Sequence, residues 1–298
     1  MILDPRRDKY RFRCWMALLP FVALGLGIQR ATLAEEGSWA FLPAGHTFAP
    51  MLADPREPNS SIAHEGDDLH WDGSLGGTKD IIRWTSAQGS LWTWGGLANA
   101  DLSIVDYASK FLDQSFRLED IDFWLGTYVS ESSGVFSNRL EYLHGVSHLG
   151  DWLFQSSNGN GHSFTAQTPL PWQRDELQFT DSFQPSDGFR LYGSLGYWLY
   201  AFPSTPPPYL QLGTEIYSGY TNIDGNLFRG FFTYDLKLDY VLEGGLDQNF
   251  ELGVQWKASK GGSPNLRLAL IYYNGNSLYG QFYQQKNSHM SLGFFVDS

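Results

Sequence analysis

His144, Ser147, His148 and Asp151 stand within eight residues of one another. A hydroxyl whose proton passes to an imidazole, itself oriented by a carboxylate, is the minimal serine-nucleophile arrangement. This is the chain's candidate catalytic set: Ser147 as nucleophile, His144 or His148 as base, and Asp151 or Glu141 as the orienting acid. The competing reading is a hydrogen-bonded rim that fixes a loop. No metal site is expected, because two His and one Asp at these spacings match no strong ligand pattern, and no cofactor is expected. On an extended strand His144, Val146 and His148 share a face while Ser147 points to the other. A dyad between His144 and Ser147 therefore requires a bulge or a loop entry.

The elements that must position these residues read as strands. From Asp120 to Ser130, Ile121, Phe123, Leu125, Thr127 and Val129 oppose Asp120, Asp122, Gly126 and Ser130; the same alternation runs through 189–201, 231–242 and 250–257. Period two means strand. About twelve such stretches fit, each long enough to cross an outer membrane at a tilt. Short connections (Gln88–Gly89, Ser132–Ser133, 185–187, 259–263) alternate with long ones (98–119, 148–173, 276–285), as periplasmic turns and outer loops do. The fold expected is all-β: an antiparallel transmembrane β-barrel of about 12 strands spanning residues 60–298. Its polar face carries charges of both signs, and Arg190, Glu215, Asp235, Lys237, Asp239, Glu251 and Lys257 are the expected lumen-lining residues. Trp84, Trp124, Tyr128, Trp198, Tyr200, Trp256 and Tyr272 are candidates for interfacial girdles.

Ahead of the strands lie two further segments. Arg6, Arg7, Lys9, Arg11 and Arg13 precede an apolar run of 15 residues from Cys14 to Ile28, and Ala31-Thr32-Leu33-Ala34 suits cleavage. Residues 1–34 are therefore read as a cleaved signal peptide. Removing them takes away six basic and two acidic side chains and the single cysteine, so the mature chain is thiol-free and more acidic than the −12 of the whole. That balance excludes nucleic acid as a partner, since phosphate binding rests on Lys and Arg. One cysteine excludes a disulfide scaffold, and 16% aromatic residues argue against disorder. Residues 35–59, with Pro43, Pro50, Pro55 and Pro58, read as an extended periplasmic lead-in or plug whose Asp54-Pro55-Arg56-Glu57 is placed to pair with charges inside a lumen.

The strings FLPAGHTFAPMLADPREPNSS (Phe41 to Ser61), YLHGVSHLGDW (Tyr142 to Trp152), QRDEL (Gln173 to Leu177), FRLYGSLGY (Phe189 to Tyr197) and YYNGNSLYGQFY (Tyr272 to Tyr283) resemble a bacterial family, domain of unknown function 1207. The resemblance runs over nearly all of the mature chain and implies a Gram-negative outer-membrane barrel of unestablished activity. The chain departs from the family pattern at Val146, where a second Ser is usual, and at Trp152, where an acid is usual. Its end, Gly293 to Ser298, lacks the final aromatic read by the barrel-assembly machinery, an expected partner along with outer-membrane lipids and lipopolysaccharide. Outer-membrane phospholipases are similar barrels with a His and a Ser near one strand's outer end. The role expected is structural or a narrow conduit, because about twelve strands enclose a lumen that side chains largely fill. An outer-leaflet lipid or lipopolysaccharide hydrolase is the alternative, and a secreted carbohydrate-binding β-sandwich the third.

Overall fold

A computed structural model describes residues 37–66, 70–106, 116–150, 171–203, 208–239, 245–258 and 265–297. The expected signal peptide, Asp151 and most of the expected loop 148–173 lie outside these residues, as does the side chain of Asp239. The strands are β1 (Ser38–Phe41), β2 (Ser60–Glu65), β3 (His70–Thr85), β4 (Leu91–Asp106), β5 (Phe116–Ser133), β6 (Phe136–Leu149), β7 (Trp172–Ser186), β8 (Phe189–Phe202), β9 (Tyr209–Tyr217), β10 (Thr221–Ile223), β11 (Asn226–Asp239), β12 (Gly245–Ala258), β13 (Asn265–Asn276) and β14 (Lys286–Asp297).

Every sequential pairing in the wall is antiparallel, and β14 pairs with β2, so the sheet closes on itself. Closure leaves twelve strands in the wall. β1 pairs with the lower edge of β3, and β10 extends β11 into a hairpin. A two-sheet sandwich is not formed. The closing seam is short: β2 makes six pairs with β14 and four with β3.

The side-chain distribution is inverted relative to a soluble sheet. Leu125, Leu212 and Leu252 are 65%, 55% and 60% exposed on the outside, whereas Arg190, Glu215 and Thr233 are 1%, 2% and 0% exposed on the inside. An apolar exterior around a polar interior is stable only where lipid replaces water, since a closed barrel satisfies its backbone internally. The protein is an outer-membrane β-barrel, and its outer wall meets membrane lipid and lipopolysaccharide.

Tight turns gather at one end, which is the periplasmic end by the rule that those turns are short. Asp224 and Gly225 join β10 to β11 with φ of 50° and 80°, the pair of positive angles a type I′ hairpin needs. This hairpin accounts for the extra length of the connection between β9 and β11. Two expected turns fall slightly later, at Gly134–Val135 and Asp187–Gly188. At the opposite end β4 and β5 run on to Asp106 and back from Phe116, so strand occupies most of the span expected as the loop 98–119.

Aromatic placement corrects one expectation. Trp124, Tyr128 and Trp198 are 7%, 4% and 2% exposed and face the lumen, whereas Tyr200 and Tyr272 stay outside. Several inward rings lie over glycines of neighbouring strands, Trp124 over Gly145 and Tyr128 over Gly95 among them. Tyr209 is in register with Gly196 and Tyr192 with Gly213, and a Cβ on either glycine would sit 2.0 Å from the facing ring. Only a residue without Cβ admits that approach.

Candidate functional site

The pairing of β5 with β6 is continuous from Asp120 opposite Leu149 to Ser133 opposite Phe136, with no bulge. Strand parity therefore holds across the candidate catalytic residues, and they divide between two faces. Ser147 points inward and is buried; its hydroxyl donates to Asp120 at 3.0 and 3.1 Å to the two carboxylate oxygens and accepts from the Gln281 backbone N–H at 3.2 Å. His144 points outward, with Nδ1 2.6 Å from Asp175 Oδ1, which also accepts from the Tyr142 hydroxyl at 3.1 Å. His148 is also outward, its ring 6.1 Å from that of Phe123. The structure thus does not bring Ser147 to either imidazole. A general base must lie within hydrogen-bond reach of the proton it takes, and the group beside Ser147 is a carboxylate.

The lumen is occupied by the chain itself. Between β1 and β2, residues 42–59 turn into the barrel and touch strands around much of its circumference. Arg139 of β6 donates from Nη1 and Nη2 to the two carboxylate oxygens of Glu57, both at 2.8 Å, and its Nε lies 3.2 Å from Glu141. Arg190 of β8 donates to the carbonyls of Pro50 and Ala49 at 2.8 Å each, to Ser182 at 2.7 Å and to Glu215 at 3.2 Å. Glu215 accepts in turn from the Leu52 N–H at 3.0 Å. On the far wall Asn249 donates to the Ala53 carbonyl at 2.9 Å, and Asp80 accepts the Thr47 N–H at 2.9 Å. The Phe48 ring centre is 4.8 Å from the Arg139 guanidinium and 4.9 Å from that of Arg190. A cavity of about 20 Å³ remains beside the segment, lined by Asp54, Arg56, Glu141, Glu176, Tyr209 and Lys237 among others. That is room for about one water.

Of the expected lumen residues, Arg190, Glu215, Asp235 and Glu251 are buried inside the barrel. Asp235 accepts from the Tyr192 hydroxyl at 2.7 Å and Gln211 at 2.9 Å, not from bases on β12. Glu251 pairs across to Arg267 at 2.7 Å, and Arg267 also meets Asp297 at 2.8 Å. Lys237 and Lys257 are half-buried, their ammonium groups 4.2 Å from the Tyr209 ring centre and 4.6 Å from that of Tyr220. Sequence reasoning missed Asp80, Arg267 and Asp297, although each falls on the inward parity of its strand.

At the outer mouth a short 3-10 turn, Gly280–Phe282, folds inward. Tyr279 donates its hydroxyl to Asp72, the Gly280 N–H donates to Asp122 at 2.9 Å, and Gln281 donates its side-chain amide to the Ser147 carbonyl at 3.0 Å. Burial and the Asp72 carboxylate hold the Tyr279 phenol well above its ordinary range, so it remains a donor. Nearby, Glu65, Asp72 and His289 hold a ligand atom each within 4.8 Å of the others. These three are 217 and 224 residues apart at the extremes of the chain and meet only because the barrel closes, which is why spacing in the sequence did not reveal them.

Comparison with solved structures returns other barrels. The chain is similar to LpxR from Salmonella typhimurium (11% identity, TM-score 0.39, covering 80% of this chain and 98% of that one). It is similar to the beta domain of the Bordetella autotransporter BrkA (14%, 0.45, 80% and 96%). It is also similar to the Salmonella typhi outer membrane phospholipase OMPLA, solved as a dimer with bound calcium (11%, 0.46, 86% and 95%). No curated protein matches the sequence. The family described as "Protein of unknown function (DUF1207)" matches residues 27–296, nearly the whole barrel and its inner segment, and the chain belongs to that family.

Proposed function

We propose that residues 42–59 of the lead-in segment act as a plug and that the protein is a structural outer-membrane barrel, or a narrow conduit, closed at rest. The observation that carries this reading is the anchoring of the segment by two buried arginines, Arg139 on Glu57 and Arg190 on the carbonyls of Ala49 and Pro50. A charge pair excluded from water is held on both sides, because removing either partner strands the other. Residues 1–34 serve as the export signal and the barrel-assembly machinery inserts the mature chain. The hydrolase reading gains nothing from the geometry, since Ser147 and the two imidazoles lie on opposite faces of β6.

The test is permeability in cells. Expression of the wild type leaves cells as resistant to a large hydrophilic antibiotic as an empty vector does. A variant lacking residues 43–58, checked for heat-modifiable gel mobility as the sign of a folded barrel, sensitises them. Sensitisation by the wild type to the same degree would overturn the reading.

A further inference from the structure

The barrel's closing seam gathers nitrogen and oxygen donors from three strands. Glu65 ends β2, Asp72 lies on β3 and His289 on β14, so three adjacent strands each contribute one inward ligand atom, all within 4.8 Å of one another. His289 Nδ1 is 3.5 Å from Glu65 Oε1. The three are half-buried near the outer mouth.

Local charge favours a cation here. In the lower lumen Glu57, Glu215, Glu251 and Asp297 each face an arginine. Towards the mouth Asp101 lies directly opposite Asp122 on the neighbouring strand and Asp120 is one inward position further, so three carboxylates gather where Arg56 acts on Asp101 and Asp122 and Arg174 on Asp122. Like charges placed so are destabilising. Asp122 is 1% exposed, and its Oδ1 has no hydrogen-bond partner among the described residues. The imidazoles of His70 and His289 both lie close enough to act on Asp72. Asp72 is also oriented by the Tyr279 hydroxyl. An outer hydrogen bond of that kind is characteristic of metal-ligating carboxylates.

We propose that Glu65, Asp72 and His289 bind a divalent transition-metal ion of the zinc class, which ties β14, β2 and β3 together across the seam. The donor chemistry selects the ion. One imidazole nitrogen and two carboxylates suit zinc, with water completing the shell, whereas calcium takes six to eight oxygens and has no use for the imidazole. The seam is where such a bridge has most effect, because β2 offers only six pairs to β14 and four to β3. Tyr279 is a positioning residue in this site, acting through Asp72. The proposal does not depend on the plug.

The experiment uses the mature chain folded in detergent, stripped with chelator and titrated calorimetrically with zinc chloride or, separately, calcium chloride. Heat-modifiable mobility reports that each sample is a folded barrel. The wild type is expected to take up one zinc per barrel and to resist the mobility shift to a higher temperature, with no such response to calcium. His289→Ala and Asp72→Asn lose the binding, Tyr279→Phe weakens it by about tenfold, and His64→Ala, an outward histidine on β2, leaves it unchanged. Should His289→Ala fail to fold, His289→Gln takes its place. Absence of zinc uptake by the wild type, equal uptake by a folded His289 variant, or a calcium response in place of zinc would each overturn the proposal.

Discussion

Arg139 and Glu57 are 82 positions apart in sequence and joined inside the barrel by two parallel hydrogen bonds of 2.8 Å, each side chain almost wholly buried. This fork-to-fork geometry is the strongest form of a charge-assisted contact. It also fixes the register of the inner segment against β6. Glu57→Ala is expected to lower stability by about 3–5 kcal/mol, the cost of leaving a buried charge without its partner. Glu57→Gln, which keeps an acceptor for Arg139 and leaves the Arg139–Glu141 contact in place, loses less. Thermal unfolding in detergent checks both; equal stability of Glu57→Ala and wild type would contradict the anchoring role.

The ring-over-glycine contacts give a second expectation. Gly196→Ala forces a methyl group against the Tyr209 ring, whose hydroxyl is held by Glu176 and so cannot simply swing away. Its unfolding temperature falls and its folding yield drops. Gly219→Ala, where nothing lies within 4 Å of the added carbon, changes neither. The same thermal assay separates the two, and a harmless Gly196→Ala would show that the lumen yields locally.

A third concerns chemistry at β6. Because Ser147 hydrogen-bonds to Asp120 while His144 pairs with Asp175 on the outer wall, neither Ser147→Ala nor His148→Ala alters lipid composition. Mass spectrometry of outer-membrane lipids and lipopolysaccharide from cells with equal barrel abundance reads this directly. A deacylated species produced by wild type and absent from the Ser147→Ala strain would restore the enzyme reading. Loss of the half-exposed His144–Asp175 pair costs about 0–1 kcal/mol.

Much of the wall was legible because period-two alternation is a local property. Phe123, Leu125 and Val129 on the outside and Asp120 and Asp122 on the inside could be read directly, as could the opposite faces of His144 and Ser147. The inward placement of Trp124, Tyr128 and Trp198 was not, since the first two enter the lumen where Gly145 and Gly95 on the next strand make room and Trp198 packs on Tyr209, and register between strands is not written in either strand alone. Glu57 was marked as a residue to pair inside a lumen, yet its partner Arg139 follows from how the segment threads. Asp235 was legible as a lumen residue but its partners were not: the register sets Asn249 opposite it on β12, and it accepts from Tyr192 and Gln211 instead. Glu65, Asp72 and His289 were invisible for a related reason: closure of the first strand on the last brings them together.

The account rests most directly on the closed lumen, and ionic current across a planar lipid bilayer measures it. Purified wild type is predicted to insert without producing current steps, while the folded variant lacking residues 43–58 gives stable steps whose size grows with salt concentration. Steady steps of the same size from the wild type, with the inner segment intact, would contradict it.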